Sequence, residues 1–96
     1  MDKQIMLVKK FTGIDRMQAP RKVSYSILWS ASGTRYGVAV EEEQNGLQYG
    51  EQETNLLNDK ELAQNLLMFL YENAVGANAL HDIVQDLKVR GVFEEK

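Results

Sequence analysis

Large and small side chains alternate with a period of two over residues 23–31. Val23, Tyr25, Ile27 and Trp29 fall on one parity, and Ser24, Ser26, Leu28 and Ser30 on the other. Successive side chains of a strand point to opposite faces, so the pattern predicts a strand with one bulky face and one face of mostly small residues. Ser32-Gly33 predicts a turn, and residues 34–43 return with Tyr36, Val38 and Val40 on one parity. Pairing about that turn sets Trp29 against Tyr36, Ile27 against Val38 and Tyr25 against Val40, so each large residue meets another and the register is fixed. Asn45-Gly46 predicts a tight hairpin, because a type I′ turn needs positive φ at both central positions. Its register carries Leu47, Tyr49, Glu51 and Glu53 onto the face of Val38 and Val40. The two acids mark a fourth strand at the edge of the sheet whose outer half leaves the core, with residues 54–57 leading into a helix. Upstream, residues 4–11 (QIMLVKKF) predict a first strand. Ile5 and Leu7 lie on one parity and Met6 and Val8 on the other, so the face it buries stays open. Residues 12–21, with Gly13 and Pro20, predict a loop that is long for a hairpin connection.

At residue 58 the period changes to that of a helix. Asn58 is placed as N-cap with Glu61 three residues on, the capping-box spacing, and Leu57 is placed to staple onto Leu62. Leu62, Ala63, Leu66, Leu67, Phe69, Leu70 and Ala74 form one apolar stripe, with Gly76 as the left-handed stop. A second helix follows, capped by Asn78 and carrying Leu80, Ile83, Val84 and Leu87 inward. Lys88 and Arg90 complement its dipole and Gly91 ends it. The order β-β-β-β-α-α implies an α+β fold: a four-stranded antiparallel meander followed by two helices, the first packed on one face of the sheet. We read one domain over residues 1–96. Residues 1–21 hold the first strand and long loop, 22–57 the three-stranded meander, 58–76 the main helix, 78–90 the second helix and 91–96 a tail. The other sheet face carries Ser24, Ser26, Leu28, Ser30, Arg35, Gly37, Ala39 and Glu41. It faces solvent, as antiparallel sheets often do, or makes a modest dimer patch through Leu28 with Met6 or Val8.

Composition narrows the function more than it defines it. The chain is 44% hydrophobic and 26% charged, which fits a folded domain and excludes disorder as its main state. It has no cysteine, so disulfides, thiolate metal sites and cysteine nucleophiles are excluded. No apolar run approaches a membrane span, and the expectation is a cytoplasmic protein with no membrane partner. The net charge of −3 hides an asymmetry: residues 1–40 hold seven Lys or Arg against two acids, and residues 41–96 hold four against twelve. The basic residues are scattered rather than blocked, so the two halves interleave their charges on folding.

Reactive groups do not converge in the sequence. The single histidine, His81, stands at the start of the second helix beside Asp82, with no second His or Cys to complete a transition-metal site. Glu41, Glu42 and Glu43 alternate across the sheet, and with Glu51 and Glu53 they could form a weak divalent-ion patch; charged strand ends are the plainer reading. No GxSxG elbow surrounds the serines, and neither a phosphate-cradling nor a dinucleotide glycine motif is present. Tyr25, Trp29, Tyr36 and Tyr49 could stack bases on an open sheet, but they share parity with Ile27, Val38 and Val40 and read as core.

The run YSILWSASGTRYGVAVEEE at residues 25–43, the capped amphipathic helix and ALHDIVQDL at residues 79–87 together resemble a small family of uncharacterised proteins of anaerobic Gram-positive, clostridia-like bacteria, a domain of unknown function. The resemblance covers most of the chain after Lys22. It implies a bacterial cytoplasmic protein of this fold and brings no catalytic residue. The reading is therefore a non-enzymatic protein-interaction or regulatory module, acting as a homodimer or on an unidentified protein partner. Its candidate surface residues are Met6, Val8 and Leu28 on the sheet, Arg16 and Arg21 in the loop, Arg35, and His81 and Asp82 on the second helix. The alternative is a small-ligand or divalent-metal domain with a pocket near His81 and Tyr49. A nucleic-acid role is disfavoured by the pI of 5.1. No catalytic residue, cofactor or metal ligand is assigned.

Overall fold

The computed structural model describes residues 2–11, 21–31 and 33–91. Within them the predicted elements follow in order: β1 (Asp2–Phe11), β2 (Arg21–Trp29), β3 (Tyr36–Gln44), β4 (Leu47–Leu57), α1 (Lys60–Glu72), a single 3₁₀ turn (Ala77–Ala79) and α2 (Leu80–Val89). The strands form one antiparallel sheet in the order β1-β2-β3-β4. Trp29 pairs with Tyr36, Ile27 with Val38 and Tyr25 with Val40, as the facing of large residues requires. Asn45 and Gly46 take φ of 56° and 75°, and Val40 and Val38 pair with Glu51 and Glu53. The long loop at 12–20, including Arg16, and the tail at 92–96 lie outside the described residues.

Both edge pairings contain an irregularity that the alternation alone does not reveal. In β1 the register shifts between Ile5, opposite Ser26, and Leu7, opposite Tyr25. Met6 is the extra residue of this bulge. The shift settles the face left open by parity: Leu7 packs half-buried on the core, while Ile5 and Val8 stay exposed. In the other pairing Val38 faces Glu53 but Tyr36 faces Leu57, so β4 passes residues 54–56 across from Gly37 alone. A Cβ on Gly37 would run into the carbonyl oxygen of Glu53. Residues 54–57 thus continue the strand rather than leaving it, and Leu57 ends β4 fully buried.

Both helices pack on one face. Ala63, Leu66, Leu67 and Leu70 of α1 and Leu80 and Val84 of α2 join Val23, Tyr25, Ile27, Val38, Val40 and Leu57 in one core. Each fully buried aliphatic side chain there stabilises the fold by about 1.5–3 kcal/mol. The first helix lies over β2 and β3, and the second over β4. The outer part of β4 leaves the core as expected, with Leu47 through Gln52 exposed, and α2 meets the strand nearer its inner end, where Glu53 is half-buried and Leu57 fully buried. The stripe on α1 is narrower than its sequence suggests. Phe69 is 44% exposed, since at 100° per residue it lies roughly a third of a turn from the buried group.

The helix ends are corrected as well. Asp59, not Asn58, is the N-cap of α1, and its Oδ1 accepts the Glu61 backbone N–H at 2.8 Å. Ala74, not Gly76, takes the left-handed conformation, with φ of 51°. Gly76 is extended at φ −81° and opens the 3₁₀ turn, which leads into α2 in place of a cap from Asn78. Gly91, at φ 73°, does end α2 as expected. Finally, the face away from the helices is not simply open: Ser24, Ser26, Leu28 and Ala39 are all buried. Their small neighbours let longer side chains lie flat over them. Lys3 Nζ on β1 meets Glu41 Oε1 on β3 at 2.6 Å, bridging across β2.

Candidate functional site

Of the acidic side chains that sequence reading grouped as a possible ion patch, Glu41, Glu42, Glu51 and Glu53 are dispersed by the sheet and each engages a different partner. Glu42 turns to the helix side, where only 16% of its side chain is exposed. Its Oε2 accepts the Ala77 backbone N–H at 3.1 Å, capping the 3₁₀ turn, and its Oε1 faces Arg21 at 3.5 Å. Glu53 takes His81 Nδ1 at 2.7 Å. Glu51 accepts the Tyr49 hydroxyl at 2.7 Å, a bond to a carboxylate that holds that hydroxyl above the usual tyrosine range. Glu41 pairs with Lys3 on the opposite face. Among the described residues no three His, Asp or Glu side chains converge on a point that could hold a metal ion.

Several of the predicted surface residues lie partly or wholly within the fold. Leu28 is 3% exposed, which removes the centre of the patch expected on the far sheet face. Arg21 is half-buried against Glu42, and Arg35 is half-buried in the β2–β3 loop, where its backbone N–H donates to Ser30 Oγ. His81 is exposed and its ring is held by Glu53, while Asp82 is exposed one position on. Tyr49 borders an open cleft of about 340 Å³ together with Ile5, Lys22, Ser24 and Glu43, and His81 does not line it.

What the structure does gather is along β1. This edge strand leaves Ile5, Met6 and Val8 exposed by 54%, 42% and 40% within four positions. Met6, turned by the bulge, lines a cavity of about 200 Å³ on the helix side with Gln4, Ile27, Trp29, Tyr36, Lys60 and Gln64. Farther along the same edge, Lys9 Nζ donates to the Tyr71 carbonyl oxygen at 2.9 Å and stands 4.8 Å from the centre of the Tyr71 ring. Trp29, Tyr36 and Lys60 were not singled out from the sequence as surface. Their signal was the position of Trp29 and Tyr36 at the end of the hairpin, beside the start of α1, where a helix ceases to cover a sheet.

Residues 6–89 match the model of a family described as "Family of unknown function (DUF6514)". No curated protein and no solved structure matches the chain.

Proposed function

The chain belongs to that family of unknown function, and from this premise we propose that it is a non-enzymatic protein-interaction module that presents β1 to a partner. One observation carries the reading: three apolar side chains, Ile5, Met6 and Val8, stand in water on a strand whose outer edge pairs with nothing among the described residues. Exposed apolar residues on an open edge favour association, and folds without a use for them replace or cover them. In this reading the protein is bacterial and cytoplasmic, as the clostridial resemblance implies, and it acts in regulation through the protein it holds. The partner is another protein rather than a nucleic acid, in keeping with the pI of 5.1.

The test is affinity capture from an extract of the source cells with the wild-type chain and with an Ile5→Glu/Val8→Glu variant. Circular dichroism first establishes that the variant is folded, which is expected because both side chains are exposed. A partner held by the wild type and lost by the variant supports the reading. A partner held equally by both overturns it.

A further inference from the structure

Building on the reading of β1 as an interaction edge, we propose that the groove between β1 and α1 receives an extended, acidic segment of the partner protein. The segment adds a fifth strand to the sheet and seats one large apolar side chain against Trp29 and Tyr36.

Three observations converge on this occupant. The first is the edge: β1 is ten residues long and bonded on one side only among the described residues, so its outward N–H and C=O groups form a template for another strand. The second is the cavity beside it. At about 200 Å³ it is below the usual range for whole small-molecule ligands, but it has a partly apolar floor in Ile27, Trp29 and Tyr36 and suits a single side chain. Lys60 and Gln64 form its helical rim, and Met68, one turn further along the same side of α1, is 44% exposed and prolongs it.

The third observation is charge, and it selects among occupants. Lys3, Lys9 and Lys10 lie along β1 and Lys60 stands across the groove, whereas the opposite edge, β4, carries Glu51 and Glu53. Two copies joined antiparallel through the centres of β1 would set Lys3 against Lys9 or Lys10. Two joined through β4 at its acidic stretch would set Glu51 against Glu53. Like charges directly opposite destabilise a strand pair, so both symmetric unions are disfavoured while an acidic strand on β1 is welcomed. Lys3 and Lys9 already hold Glu41 and the Tyr71 carbonyl, yet an ammonium has three donors and each retains capacity for a second acceptor.

The probe is a synthetic peptide alternating Glu with Leu and Phe, compared with its Lys-for-Glu counterpart and with a version N-methylated at alternate amides. Trp29 is the only tryptophan, so its fluorescence reports the cavity directly; amide chemical shifts of β1 report the edge. The acidic peptide should shift both saturably. N-methylation should abolish the response, and added salt or a Lys10→Glu/Lys60→Glu variant should weaken binding about tenfold or more. No response of Trp29 and β1, or an equal response to the Lys peptide, overturns the proposal. Mass growth with concentration in light scattering without peptide, with β1 and β4 amides shifting together, would also overturn it by assigning the groove to β4 of a second copy. If cellular capture depends on Ile5 and Val8 but the acidic peptide leaves Trp29 unmoved, the acidic-strand proposal falls and the interaction module stands. If capture ignores Ile5 and Val8, the module reading itself falls.

Discussion

Tyr25, at the centre of β2, donates its hydroxyl to the carbonyl oxygen of Val75 at 2.9 Å, fastening the middle of the sheet to the turn that follows α1. The Tyr25 ring meets the Tyr71 ring edge-on at 5.8 Å between centroids, so one side chain ties together β2, the end of α1 and the chain beyond it. Tyr25→Phe keeps the ring and removes the bond, leaving the carbonyl of buried Val75 without that donor. We expect a loss of about 1–2 kcal/mol in urea unfolding. An unchanged midpoint would show that the bond contributes nothing net.

The same hydroxyl sets an alkaline limit. Burial pushes its pKa above the usual tyrosine range, and the nearby Arg21 guanidinium only partly offsets this. The unfolded chain, with an ordinary tyrosine, therefore loses the proton at lower pH than the folded one. The stabilisation is fully present below pH ~10 and is lost as pH rises through the folded value. Unfolding midpoints measured from pH 8 upwards should fall above pH ~10 in the wild type, and less steeply in Tyr25→Phe. Parallel curves for the two proteins would exclude Tyr25 as the cause.

Ala74 occupies a position built for glycine. Its N–H bonds the Tyr71 carbonyl at 3.1 Å and the next N–H, of Val75, bonds Leu70 at 3.0 Å, the pair of bonds that closes a helix through a left-handed residue. With φ of 51° an alanine bears a steric cost there that glycine does not. Ala74→Gly should stabilise by about 0.5–1 kcal/mol after the added freedom of the unfolded chain is subtracted. That corresponds to a rise of roughly 2–6 °C in Tm by calorimetry; a lower Tm would contradict the assignment of the helix stop.

These helix ends show where sequence reading reached its limit. The β2–β3 register was legible because Tyr25, Ile27 and Trp29 leave only one alignment that meets Val40, Val38 and Tyr36, and Asn45-Gly46 specified the next hairpin. Asn58 and Asp59 are both competent caps one residue apart, and only the geometry of the strand running in decides between them. Gly76 is the better left-handed residue, but Val75 must fold back over Leu70, which places the stop at Ala74. The groove along β1 was less visible still. It depends on the bulge at Met6, and with apolar residues on both parities of that strand no pattern announces a shift of register. The bridge across the far face likewise joins Lys3 and Glu41, which are 38 positions apart in the chain, beyond the reach of any local pattern.

Gly37 and Gly50 make a matched test of the β3–β4 seam. A Cβ at Gly37 meets backbone of β4, at the Glu53 carbonyl and the Thr54 Cα, where nothing can swing aside. A Cβ at Gly50 meets the Glu41 Cγ at 3.1 Å, part of a flexible side chain. Gly37→Ala should cost about 1–3 kcal/mol and Gly50→Ala less than about 1 kcal/mol. Equal effects in urea unfolding would mean that β4 does not bulge across Gly37 as described.

Two carboxylates connect the sheet to the chain beyond α1, and they should differ in weight. The Glu53–His81 contact is short, but the histidine side chain is 66% exposed, and a solvated pair of this kind contributes about 0–1 kcal/mol. The Glu42 carboxylate is mostly buried, accepts the Ala77 N–H and faces Arg21. Its removal in Glu42→Ala strips an acceptor from a buried backbone donor and one counter-charge from a half-buried guanidinium. That should cost about 1–3 kcal/mol, against less than about 1 kcal/mol for His81→Ala. Amide exchange gives an independent reading: protection of Ala77 should fall in Glu42→Ala and persist in His81→Ala. If His81→Ala proves the costlier change, α2 is held to β4 chiefly through its histidine, and the cap on the 3₁₀ turn is incidental to the fold.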